Sequence, residues 1–406
     1  MKKEKGMSWT DARDLLLAHS EPTGTENVPL EQCTGRVLAQ PLIAKDNVPP
    51  FDRSPYDGYA FRCADVAGAS RECPVILKIL EEIPAGGTSH IPVTEGTAVK
   101  VLTGAPIPEG ADAVVMFEKT DFTVETVTIY GPAKPGDNIV LTGEDVRKGD
   151  VLARAGTVID AGLLGTLASQ NIAQPLVYRR PVVGIISTGS ELVEVGEDLA
   201  PGMIYNTNRY TLTAALEKLG CRPVYLGTGR DSEKEIADLL EKGLLSCDAV
   251  ILTGGVSVGD YDLTPAAMEA CGVSFLFRHV DLKPGMACAY GIRDGKLVMG
   301  LSGNPASSIT NFYAIALPAL RRICGLNIVL PQEVELTLLG GFRKASRGTR
   351  MLRGRLTFDG GCLCMSLPAD QGNVVLSSTI GCNVMAVVPA GSGPIAAGTK
   401  LKGFLL

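Results

Sequence analysis

The chain has 406 residues, 45% of them hydrophobic, which at roughly 150 residues per domain is enough for two to four cores. Its formal net charge of −6 excludes bulk nucleic-acid binding, which needs a basic face rather than an acidic average. No apolar run reaches the ~18 residues of a membrane span, and none follows the basic start MKKEKGMSW, so a cytoplasmic protein with neither membrane nor nucleic-acid partners is expected.

Residues 8–19 read as a short helix, with Ser8 and Asp11 at capping-box spacing and Leu15, Leu16 and Leu17 supplying an apolar stripe. From 45 to 141, runs such as PVILKIL, GTAVKVL and DAVVMF alternate with Pro/Gly turns, which predicts a small β domain. Residues 142–177 form a connector. From 181 onward, strands alternate with helices that carry apolar residues at helical spacing: Leu212, Ala215, Leu216 and Leu219, then Ile236, Leu239, Leu240 and Leu244. This pattern predicts a parallel, doubly wound layer. A last helix spans 305–324, with Pro318 kinking or ending its regular part and Gly325 as C-cap. Five short alternating strands after it (VELTLL, RGRLTF, CLCMSL, NVMAVV, TKLKGF) predict a small barrel.

Four apolar runs of the α/β region each end in a glycine- and hydroxyl-rich turn: STGSE (187–191), GTGRD (227–231), TGGVSVGDYD (253–262) and GLSGNP (300–305). Loops leaving the carboxyl ends of strands in an open α/β sheet converge on one crevice, so these turns should line a single site. Glycine lets backbone N–H groups approach an anion, and Ser, Thr and helix N-termini add donors. The expected ligand is therefore anionic and phosphate-bearing. The eleven cysteines contain no C-x-x-C pair, and His19, His90 and His279 lie far apart, so neither pattern suggests a metal site. No G-x-G-x-x-G follows the first strand and no G-K-[ST] occurs, which speaks against a conventional oxidoreductase or P-loop enzyme.

Eight blocks occur in fixed order: SPYDGYA (54–60), TGAPIPEGADAVV (103–115), TGED (142–145), STGSE, IYNTNR (204–209), TGGVSVGDYD, LKPG (282–285) and GLSGNP. In these the chain resembles the MoeA family, molybdopterin molybdenumtransferases related to the E domain of gephyrin, over nearly its whole length. The resemblance implies a multidomain α/β plus β fold with four parts. These are an extended helical N-terminal domain (7–44 and 142–177), a β insertion domain (45–141), a central doubly wound, MogA-like α/β domain (178–326) and a C-terminal small β-barrel (327–406). It also implies insertion of molybdate into adenylated molybdopterin with release of AMP, dependence on Mg²⁺, a homodimer, and a MogA-type adenylyltransferase as pathway partner.

Carried over position by position, the family's catalytic set is Asp57, Thr103, Asp145, Glu191, Asp262 and Lys283. Its substrate-binding set is Thr188, Gly189, Asp231, Gly254, Gly255, Ser257, Gly303, Asn304 and Pro305, and its metal ligands are Glu191, Asp260 and Asp262. Plainer roles compete at several of these. Asp231 suits a helix N-cap, Asn304 and Pro305 start a helix, and Asp57 suits a turn. The run Arg343, Lys344, Arg347, Arg350, Arg353 and Arg355 reads as a solvated face; the alternative is that one arginine reaches the pterin-side phosphate. The sequence also departs from the family pattern. His279 and Met286 stand where lysine is common, Val140, Leu141 and Thr142 where arginines are frequent, Ser302 where proline is usual, and Pro55-Tyr56 where Ala-Met is usual. The charge changes should weaken an anion site. Three readings follow: the insertase, a molybdopterin- or partner-binding paralog with weak or altered (for instance tungstate) activity, and a MogA-type adenylyltransferase. The last would not need the DGYA and TGAP blocks or a barrel.

Overall fold

The computed structural model describes residues 6–257 and 263–406. Two compact units emerge: one comprises Met1–Gln40, Ala155–Ala161 and Gln174–Leu406, the other Pro41–Arg154 and Gly162–Ala173.

The larger unit opens with helix α1 (Trp9–Ala18), whose N-cap Ser8 accepts a bond from the Asp11 N–H at 3.1 Å. Ala12 and Leu16, four apart, are its fully buried positions, because three consecutive leucines cannot share one helical face.

The smaller unit holds a six-stranded sheet: β1 (Gly58–Phe61), β2 (Val75–Ile83), β3 (Thr97–Val101), β4 (Ala113–Met116), β5 (Thr120–Phe122) and β6 (Thr126–Ile129), ordered β4-β1-β3-β2-β6-β5. Tyr59, Phe61, Leu77 and Val127 fill one of its cores.

The α/β layer of the larger unit uses β7 (Val182–Thr188), α2 (Thr207–Leu219), β8 (Arg222–Gly229), α3 (Glu233–Ser246), β9 (Ala249–Thr253), α4 (Thr264–Ala270), β10 (Ser274–Arg278), β11 (Ala289–Arg293) and β12 (Lys296–Leu301). Its order is β8-β7-β9-β12-β11-β10. The first four strands are parallel, but near one edge β11 runs antiparallel to both its neighbours, β12 and β10, so the layer is mixed rather than wholly parallel. Both faces are covered. Ala249 and Ile251 of β9 pack with Leu212 and Leu216 of α2, whereas Val250 and Leu252 pack with Leu240 and Leu244 of α3. That is why β9 is buried at every position, and apolar from Ala249 to Leu252, instead of at alternate ones.

The last helical stretch is α5 (Pro305–Asn311), a π-helical turn at Phe312–Ala316, and α6 (Leu317–Ile323). The wide turn falls just before Pro318, whose missing N–H would otherwise leave an α-helical carbonyl unmatched. The chain finishes in a closed barrel, β13 (Glu333–Leu338), β14 (Arg350–Asp359), β15 (Cys362–Ser366), β16 (Val384–Val388) and β17 (Lys400–Leu405), ordered β13-β15-β14-β16-β17. The expected fold class, multidomain α/β plus β, is thus present. Among the described residues no helix is long and apolar enough to cross a membrane.

Candidate functional site

All four glycine turns leave the carboxyl ends of the four adjacent parallel strands β7, β8, β9 and β12, and they meet in one cavity of about 910 Å³. Of the expected substrate-binding set, Thr188, Gly189, Asp231, Gly254, Gly255, Ser257, Gly303, Asn304 and Pro305 all line it, together with Glu191. The turns are held to one another by polar contacts. The Thr188 hydroxyl donates to the Thr253 carbonyl (3.1 Å), the Thr264 hydroxyl to the Gly254 carbonyl (2.8 Å), and Asn208 Nδ2 to the Gly303 carbonyl (2.8 Å). Gly254, at φ +99°, sits so close to Thr188 that any Cβ would strike its hydroxyl. At Gly189 the backbone, at φ +134°, takes a path strained for any other residue, and the exposed Glu191 carboxylate lies over that α-carbon. Only glycine permits both approaches.

Asp231 does not cap α3. Ser232 does, accepting from the Glu235 N–H at 3.3 Å, while Asp231, at φ +33°, accepts from the Ser190 N–H at 3.2 Å and so joins two turns. Asn304 occupies the cap position of α5 without a side-chain capping bond. Asp260 and Asp262 lie outside the described residues.

Residues outside the expected site sets, some of them from the IYNTNR block, complete the wall. Leu199, Met203, Ile204 and Tyr205 form an apolar rim beside the amino end of α2. There Asn206, 1% exposed, accepts from the Ser187 hydroxyl (3.1 Å) and the Arg209 N–H (3.3 Å), and donates to Glu194 (3.0 Å) and the Tyr225 hydroxyl (3.1 Å). Burial pushes the Glu194 carboxyl up, but bonds from Asn206, Arg209 and Tyr225 outweigh it and leave the group below the usual carboxylate range. An Asn immediately before a helical apolar pattern was the available signal.

Lys283 lines a neighbouring cavity of about 660 Å³. Its loop is carried by buried Asn311, which donates to the Gly285 carbonyl (2.8 Å) and receives the Tyr290 hydroxyl. The basic run is not a uniform solvated face. Lys344, Arg347 and Arg350 line the same cavity as Lys283, with Asp281 as the carboxylate among the lining residues. Arg353 instead is 1% exposed, donating to Ser378 Oγ (3.0 Å) and the Gly372 carbonyl (3.2 Å). Of the two positions where lysine is common in the family, Met286 lines the cavity and His279 does not. Ala287, Ser302 and Asn304 line both cavities.

Asp57, Thr103 and Asp145 belong to the smaller unit. Asp57 accepts from the Thr103 N–H (2.7 Å) and hydroxyl (2.8 Å), and these bonds lower its carboxyl below the ordinary value. Asp52 takes the same two bonds from Thr142 (both 2.7 Å). Asp145 is exposed.

Two family models match the chain: the MoeA N-terminal region (domain I and II) over residues 7–170, and a probable molybdopterin binding domain over 184–322. Molybdopterin molybdenumtransferase of Staphylococcus aureus (strain Mu50) is 39% identical over 373 residues, covering 91% of this chain and 88% of that protein. The Staphylococcus epidermidis protein of the same name (strain RP62A) is 34% identical over 372 residues, covering 92% and 89%. The solved molybdopterin biosynthesis MoeA protein of Pyrococcus horikoshii OT3 superposes with a TM-score of 0.85 at 32% identity, over 99% of this chain and 100% of that one. With both family models matched in order and relatives similar end to end, the chain belongs to the MoeA family of molybdopterin molybdenumtransferases, enzymes of molybdenum cofactor biosynthesis.

Proposed function

We propose that this protein inserts molybdate into adenylated molybdopterin and releases AMP. The observation that carries the reading is the adjacency of two unlike cavities. One is walled by glycine backbone and hydroxyls at four strand ends, the other by Lys283, Lys344, Arg347 and Arg350. Backbone N–H groups and the Ser257 hydroxyl suit a pyrophosphate, and a cluster of cations suits a small dianion such as molybdate. The cations from the barrel favour an insertase over a paralog that binds without turnover, since with Lys283 they leave four cations around one cavity although Met286 stands where lysine is common.

Glu191 would contribute to holding Mg²⁺, with Asp260 and Asp262 as its expected companions. Mg²⁺ is a hard ion that takes carboxylate oxygens together with phosphate oxygens of its substrate. Such an ion supplies charge neutralisation at the phosphoanhydride. The protein's own part is to orient: the glycine turns fix the phosphates against backbone donors, which stabilise charge on departing AMP, and Lys283 holds the oxyanion. Asp57, Thr103 and Asp145 are read as completing the site from a second copy in a homodimer. The adenylated substrate implies a MogA-type adenylyltransferase upstream, in the cytoplasm.

Incubating the pure protein with adenylated molybdopterin, molybdate and Mg²⁺ should release AMP, and Glu191→Gln should abolish that release while circular dichroism stays unchanged. Absence of AMP release from the wild-type protein, or full activity of Glu191→Gln at saturating Mg²⁺, would overturn the reading or its metal site respectively.

A further inference from the structure

The two cavities meet at Ala287, Ser302 and Asn304. These three residues therefore stand between an oxyanion held among Lys283, Lys344, Arg347 and Arg350 and a ligand in the glycine-turn cavity. Ala287 has no polar side-chain atom. Ser302 is half-buried, and its hydroxyl oxygen accepts from the Asn304 N–H at 3.3 Å. That bond uses a lone pair and leaves the hydroxyl proton for another acceptor; among the described residues it has no such acceptor in the hydrogen-bond network. The next residue, Gly303, is exposed and packs close to another turn: a Cβ there would meet the Gly254 α-carbon at 3.4 Å. The boundary is therefore accessible and furnished with a hydroxyl whose proton is free to donate.

We propose that Ser302 is a positioning residue for the transferred oxyanion, donating a hydrogen bond to a molybdate oxygen as the ion sits at the junction. This rests on the proposed insertase reading and adds to it a residue whose usual family counterpart, proline, can donate nothing from either side chain or backbone nitrogen. The same cavity carries Met286, 57% exposed, where lysine is common. The chain thus supplies from a neutral hydroxyl, beside the barrel cations, part of the contact that a lysine would make as a point charge.

The test uses the full chain and molybdate as the probe. Calorimetric titration with molybdate, in the presence of adenylated molybdopterin without Mg²⁺, is compared for wild type, Ser302→Ala, Ser302→Thr and Lys283→Ala. Ser302→Ala should weaken molybdate binding about tenfold, the scale of one hydrogen bond to a charged group. Ser302→Thr, which keeps the hydroxyl, should restore it. In AMP-release assays Ser302→Ala should raise the KM for molybdate by a similar factor with kcat nearly unchanged, and Met286→Lys added to Ser302→Ala should recover most of the loss. A mere turn-holding role predicts a lower thermal midpoint and reduced kcat without the molybdate effect. Unchanged molybdate binding in Ser302→Ala, alongside clear loss in Lys283→Ala, would overturn the role of Ser302 and leave the cationic cavity standing. Unchanged binding in both would overturn the cavity's assignment as well.

Discussion

Asp57 illustrates how one side chain carries two demands. Its two bonds from Thr103 fasten the SPYDGYA turn to the TGAP turn, and they also hold the carboxyl below its ordinary value. A carboxyl lowered by folding contributes stability that is present above its unfolded pKa of about 4 and is lost as pH falls through the lowered folded value. Asp57→Asn should therefore remove part of the pH dependence of stability below pH ~4 and leave it unchanged near neutrality, which urea unfolding at a series of pH values would check. Equal acid sensitivity of variant and wild type would discount the carboxylate. At this scale sequence and structure part where neighbours compete. Asp231 and Ser232 are both good caps, and only the backbone path, with Asp231 at positive φ, decides for Ser232. Arg353 looks like its basic neighbours in the sequence, yet the barrel buries it, a non-local fact no local pattern encodes.

Elements were more legible than residues. The stripes at Leu212/Leu216 and Ile236/Leu240/Leu244 place α2 and α3 because burial of one helical face requires that spacing. The barrel strands were readable from alternation. The antiparallel course of β11 between β12 and β10 was not, because direction depends on chain connections rather than on composition. The site's turns were visible as glycine and hydroxyl clusters, whereas the apolar rim from Leu199 to Tyr205 gains meaning only once α2 sets its amino end beside them. Asn206 ties that end in place. Asn206→Ala should cost about 2–3 kcal/mol, combining a lost cap with a buried Ser187 hydroxyl left without its acceptor. Denaturant titration would measure it, and a loss under 0.5 kcal/mol would mean that water takes over these bonds.

At the level of the whole molecule, the expected site residues divide between two compact units, with Asp57, Thr103 and Asp145 in one and Glu191 and Lys283 in the other. If the proposed homodimer builds each site from both chains, inactive Asp145→Ala and inactive Glu191→Ala proteins should recover part of the AMP release after subunit exchange. Asp145 is the better choice than Asp57, since its exposed side chain does not fasten a turn. Heterodimers that form but stay inactive would indicate a site made within one chain.

The cationic cavity also has a seam. The Lys283 N–H donates to the Thr349 carbonyl and the Met351 N–H to the Lys283 carbonyl, both at 2.9 Å, so Lys283 and Arg350 are opposed like partners on neighbouring strands. Side chains opposed in this way leave the backbone on the same side, and a slip of one residue reverses that side. The charge pattern is therefore written in register as much as in residue type. Exchanging a side chain between 344 and 349 alters one contact, while a one-residue slip in the pairing of Arg350 with Lys283 would turn the two apart with every amino acid still present.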